Sequence, residues 1–210
     1  MNVKVNKIKY IILPNKKINY FVFGIMILGI ICGSIFFTVI GSNDKTETLN
    51  LITNFFENVN NSSIDSGLAF KNSLITNGIL VSGIFILGMS VIGLIINIFI
   101  VYIKGFIIGF SIASIIGKYG IKGILASFIY IFPHQIINII VICIIGIYSI
   151  MFSIFLIRLI TSRKNLNNKN VFKRYFIIYI FSILGIIISS LLEAYILPAF
   201  LKLIIGLYVN

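Results

Sequence analysis

Long apolar runs, with charges sorted to their ends, dictate what this chain can fold into. Lys4, Lys7, Lys9, Lys16 and Lys17 precede the first run. Arg158, Arg163, Lys164, Lys169, Lys173 and Arg174 fall between the last two, and neither cluster holds an acid. Four of the five acids, Asp44, Glu47, Glu57 and Asp65, share one polar loop. A soluble domain needs a charged surface; here 59% of residues are hydrophobic and 10% charged, with a mean hydropathy of +1.12. Only helices and closed barrels satisfy their backbone in lipid, and runs of this length predict an all-α integral membrane protein. The net charge of +12 reads as topology, not nucleic-acid binding, since the basic residues flank apolar spans. Anionic lipid on the cytoplasmic face is the expected electrostatic partner.

The runs predict five transmembrane helices, near 18–40, 74–103, 105–131, 134–157 and 175–197; crossing a bilayer takes ~20 residues. Residues 1–17 form a basic cytoplasmic arm, and 18–210 a single polytopic membrane domain with an outer loop at 41–72. The first run is too long for a signal-peptide core, so it reads as an uncleaved anchor. Lys104 is expected to end the second span. Gly117, Gly120 and Gly123, then Phe132-Pro133-His134, break the third and fourth; the third ends near Gly117 or continues bent to Phe132. Placing both basic clusters in the cytosol puts the N-terminus inside and the C-terminus outside. A re-entrant hairpin at 105–131 would send the Arg158–Arg174 cluster outside and is rejected on that ground. A sixth crossing, with 199–209 dipping back, is the alternative count.

The outer loop has a pattern of its own. Leu49, Ile52, Phe55, Phe56 and Val59 recur at helical spacing, one apolar stripe on a polar helix. Thr46 or Thr48 is its expected cap, and Asn60-Asn61-Ser62-Ser63 its end. The stripe is expected to lie on the outer leaflet or to dock a partner. Gly29 and Gly33 in the first span, and Gly105 and Gly109 in the third, have the small-xxx-small spacing that lets helices approach closely; they allow a homodimer without demanding one.

Glu193 is the only acid outside that loop, and it sits in an apolar run. A carboxylate there is costly unless paired, protonated or hydrated. Arg174 to Glu193 spans ~28 Å at 1.5 Å per residue, which puts Glu193 near the outer edge of the hydrocarbon. His134, Lys118 and Lys122 are expected at the same level, so the four form a candidate buried polar cluster. A structural salt bridge, or a Glu reaching the headgroups, is the plainer reading; a proton or ion relay is the other. Asn77, Asn97 and Asn138 are the only obvious additions to such a relay, the last two expected as helix-helix glue.

Catalysis finds little support in these residues. One histidine cannot build a two-His metal motif, and no nucleophile elbow or phosphate loop is present. Cys32 and Cys143 lie in apolar runs without ligand spacing and read as small hydrophobes. No enzyme activity, metal or cofactor is expected.

The order of several elements resembles the stage II sporulation protein M family of endospore-forming bacteria. They are the basic arm and first span with Gly24, Gly29 and Gly33; Lys104-Gly105-Phe106 leading into Gly109-Phe110; the Gly117, Gly120, Gly123 break; Phe132-Pro133-His134; and Glu193-Ala194-Tyr195-Ile196-Leu197-Pro198. The resemblance implies a multi-pass protein of the mother-cell membrane at the sporulation septum. Its implied role is a non-catalytic scaffold required for forespore engulfment, anchoring the peptidoglycan hydrolases stage II sporulation proteins D and P, a lytic transglycosylase and an amidase/endopeptidase. A permease-like subunit of a transporter is the alternative, since broken spans are a transporter feature.

Overall fold

A computed structural model of the chain describes residues 16–60, 65–162 and 168–200. Residues 1–15 of the basic arm, the 61–64 segment, Arg163 and Lys164 of the basic linker and the tail from 201 lie outside the described residues. Among those described, the chain is all helical. The order is α1 (Lys16–Val39), α2 (Ser42–Asn60), α3 (Ser66–Gly88), α4 (Gly93–Tyr119), α5 (Ile121–Tyr130), α6 (Phe132–Ser162) and α7 (Asn168–Leu191). A π-helical turn, Leu192–Ile196, extends α7. Five helices are long and apolar enough to cross a membrane: α1, α3, α4, α6 and the α7 stretch Val171–Phe200. Central α6 has 61% of its apolar stretch buried inside the protein, against 28–33% for the other four.

The second and third spans differ from the sequence expectation. The chain turns at Met89–Ile92, between α3 and α4, and not at Lys104. The second crossing therefore begins at Ser66, inside the expected loop 41–72, and Lys104 lies mid-helix in α4 with 8% of its surface exposed. The turn is nearly all apolar, so hydropathy runs straight through it. Side chains from distant helices make it stable. The last carbonyls of a helix lack intrahelical partners; here Tyr175 Oη donates to the Phe85 carbonyl at 2.9 Å and Ser153 Oγ to that of Gly88 at 2.9 Å. Asn97 Nδ2 donates to the Ile84 carbonyl at 3.3 Å and to Ser149 Oγ.

Local chemistry sets the other boundaries. Asp65 caps α3, its carboxylate accepting from Gly67 N at 2.8 Å and Leu68 N at 3.1 Å. Gly120 ends α4 at φ +60, a conformation that favours glycine. Pro133 occupies the first turn of α6, where its missing N–H costs nothing. Thr46 and Thr48 do not cap α2, which starts earlier, at Ser42; their hydroxyls donate back to the Ser42 and Asp44 carbonyls at 2.8 Å each. The π turn precedes Pro198. Leu197 N–H reaches back five residues to the Leu192 carbonyl, which widens the helix before the proline ring.

α1 and α4 run parallel with backbones in contact. A Cβ on Gly29 would meet the Tyr102 carbonyl and Phe106 N; one on Gly33 would meet the Phe106 carbonyl. From the other side, Gly105 faces Met26 and Gly109 faces Ile30. Ser34 Oγ, beside the seam, lies 3.1 Å from the Gly109 carbonyl. The four glycines thus form one intramolecular seam.

Candidate functional site

The α2-bearing end of the bundle gathers the starts of α3 and α6, α5, and the ends of α4 and α7. Its α2 stripe turns inward. Phe56 and Val59 are buried against Ile115, Ala126 and Ile131, with Ile52 and Phe55 half-buried beside them. The Phe56 ring lies 4.9 Å from that of Tyr119. Leu49 is half-buried as well. The expected docking stripe therefore packs largely on its own bundle, because that face is the nearest apolar surface the loop helix can cover. The face left exposed carries Asp44, Glu47, Asn50, Asn54 and Glu57.

Beneath α2 lies the polar cluster, built from four helices. Glu193 stands on the π turn of α7, its side chain 30% exposed. Its Oε2 accepts from Ser73 Oγ of α3 at 2.5 Å and lies 3.9 Å from Nε2 of the buried His134 on α6. One turn along α3, Asn77 Nδ2 donates to the Ser73 carbonyl at 3.0 Å, and Asn77 Oδ1 accepts from Lys104 Nζ of α4 at 3.0 Å. Ser189 Oγ of α7 donates to the His134 carbonyl at 2.9 Å. Glu193 also acts electrostatically on Lys104.

The structure thus brings His134 to Glu193, but replaces the expected lysines with another. Lys118 and Lys122 are exposed at the α4–α5 corner. Both follow or precede the Gly120 turn, which carries them out of the bundle. Lys104, Asn77, Ser73 and Gln135 were not assigned to the cluster from sequence. The Ser73-x-x-x-Asn77 spacing was the available signal, since residues four apart share a helix face.

Two cavities flank Glu193. One, ≈ 380 Å³, is lined by Ser73, Thr76, Asn77, Lys104, Gln135 and Glu193, among others. The other, ≈ 360 Å³, runs under α2 between Leu51, Phe55, Ile107, Ile108 and Phe110, and ends at His134, Gln135 and Glu193. Gln135 Oε1, on the wall of both cavities, has no hydrogen-bond partner among the described residues, and neither amide atom of Asn138, further along α6, has one. Among the described residues, no group of His, Cys, Asp and Glu side chains is placed to hold a metal ion.

A family comparison matches stage II sporulation protein M over residues 22–198. The chain belongs to the stage II sporulation protein M family. The matched stretch reaches into all five spans and takes in the glycine seam and Glu193. No curated protein and no solved structure matches the chain. Membership in this sporulation family, with five apolar helices, makes the chain a multi-pass membrane protein of that family.

Proposed function

We propose that this chain is a non-catalytic scaffold of the mother-cell membrane at the sporulation septum, required for forespore engulfment. In this reading it anchors peptidoglycan hydrolases, the amidase/endopeptidase and lytic transglycosylase called stage II sporulation proteins P and D. Family membership motivates the role. The observation that supports it best is α2. Its apolar stripe fixes it across the end of the bundle, and its acidic and amide-rich face points away. A helix packed on the bundle with a polar outer face suits a partner outside the lipid, and the charge bias of the loops supports a wall-side position for that end.

The test is engulfment followed by membrane dye in sporulating cells, with co-purification of the two hydrolases. A Glu47→Lys, Asn54→Arg variant, changed only on the exposed face, is expected to insert normally, lose hydrolase binding and stall engulfment. Retained binding and normal engulfment would remove α2 as the docking surface.

A permease-like subunit is the second reading, favoured by buried Lys104 and half-buried Glu193. Intramembrane charges are functional candidates by default. Normal engulfment in Glu193→Gln and Lys104→Met cells would separate the two, since a scaffold tolerates both.

A further inference from the structure

The polar chamber holds two opposite charges that do not pair. Among the described residues, Lys104 donates to Asn77 alone, and Glu193 contacts Ser73 and His134 through a single carboxylate oxygen, Oε2. An ammonium has three N–H donors, so two on Lys104 lack an acceptor, in a side chain more than nine-tenths buried. Gln135 Oε1 is a buried acceptor without a donor among the described residues, and the part-exposed Glu193 carboxylate makes its recorded contacts through Oε2. All three residues line the same ≈ 380 Å³ space, within the ~300–1,000 Å³ typical of small-molecule sites. The charges are offset along the bundle. Ser73, at Glu193, and Asn77, at Lys104, are four residues apart on α3, a rise of ~6 Å.

We propose that this chamber binds a small neutral zwitterion whose primary ammonium meets Glu193 and Gln135 and whose anionic group meets Lys104. The charge balance selects this class. A lone cation would be repelled by Lys104, and a lone anion by Glu193; a molecule carrying both charges is attracted at each end. The unpaired Gln135 oxygen requires an N–H donor, which excludes a quaternary ammonium. A free amino acid and the headgroup of phosphatidylethanolamine share this chemistry. The inference does not depend on hydrolase anchoring.

The experiment uses the full chain in phosphatidylcholine nanodiscs. Calorimetric titration with glycine tests the free solute, with ethylamine and acetate as single-charge controls. Thermal unfolding in discs with and without phosphatidylethanolamine tests the headgroup. Saturable glycine binding, or stabilisation by phosphatidylethanolamine over phosphatidylcholine, supports the site and names its source. Glu193→Gln, Lys104→Met and Gln135→Met are each expected to weaken the response about tenfold or more, as loss of a charge-assisted hydrogen bond does. Gln135→Met removes an oxygen with no protein partner, so it tests the site without disturbing the fold. The proposal is overturned by no response to either probe, by ethylamine or acetate binding as well as glycine, or by an unchanged response in Gln135→Met.

Discussion

Lys104 Nζ donates to Asn77 Oδ1 across 3.0 Å, joining α4 to α3 near the middle of each helix. An ammonium at that depth is costly, and Asn77 offsets part of that cost. Replacing Asn77 with Leu strands the ammonium, at a cost of roughly 1–3 kcal/mol or more. Lys104→Met removes the charge and strands only a neutral amide. The double variant is therefore expected to be more stable than the sum of the singles, by about 0.5–3 kcal/mol. Thermal unfolding of all four proteins in one detergent measures this. Strict additivity would mean the two side chains do not interact.

The glycine seam separates glycines that pack from those that do not. A Cβ at Gly33 or Gly109 meets backbone, which cannot rotate away, whereas Gly24, Gly78 and Gly83 have nothing within 4 Å. Gly33→Val and Gly109→Val are expected to push α1 off α4 and destabilise by roughly 1–3 kcal/mol or more, the range for overpacking. Gly24→Ala and Gly78→Ala are expected to be neutral or slightly stabilising. Membrane expression and protease resistance of the five proteins read the contrast. Equal loss at Gly24 and Gly33 would contradict the parallel α1–α4 contact.

The α2 stripe makes a similar division on one helix. Phe56 is buried against α4 and α5, so Phe56→Ala is expected to cost about 3–5 kcal/mol. Asn54→Ala, on the exposed face, is expected to change stability by no more than ~0.5 kcal/mol. Unfolding midpoints of the two variants decide it. A harmless Phe56→Ala would return the stripe to the role of an open docking surface.

Periodicity and charge made the five helices and the α2 stripe legible, because each is written in contiguous residues. The α3–α4 turn was not. Its carbonyls are satisfied by Asn97, Ser153 and Tyr175, the last two more than sixty residues away, so Met89–Ile92 needs no polar residues of its own beyond Ser90. Lys104 misled for the converse reason. A lysine usually marks the end of a span, and here Asn77 and the chamber hold it inside one. The same displacement explains why Glu193 and His134 were found together while their cation was assigned to Lys118 and Lys122. Those lysines lie close to His134 in sequence, but Gly120 turns the chain between them and the bundle.

The basic clusters motivate the orientation proposed above, and labelling tests it directly. Lys45 lies at the start of α2, at the end of the bundle that carries Glu193; Met89 lies in the α3–α4 turn at the opposite end. With the basic linker in the cytosol, the α2 end faces the wall. In a background with Cys32 and Cys143 replaced by Ser, Lys45→Cys is expected to react with an impermeant maleimide added to intact cells. Met89→Cys, which is exposed at its own end, is expected to react only after permeabilisation. Restricting the comparison to positions that are not buried matters, since a buried thiol would be silent on either side. The opposite labelling pattern would invert the bundle and move α2 into the cytosol. No hydrolase of the wall could then reach its polar face.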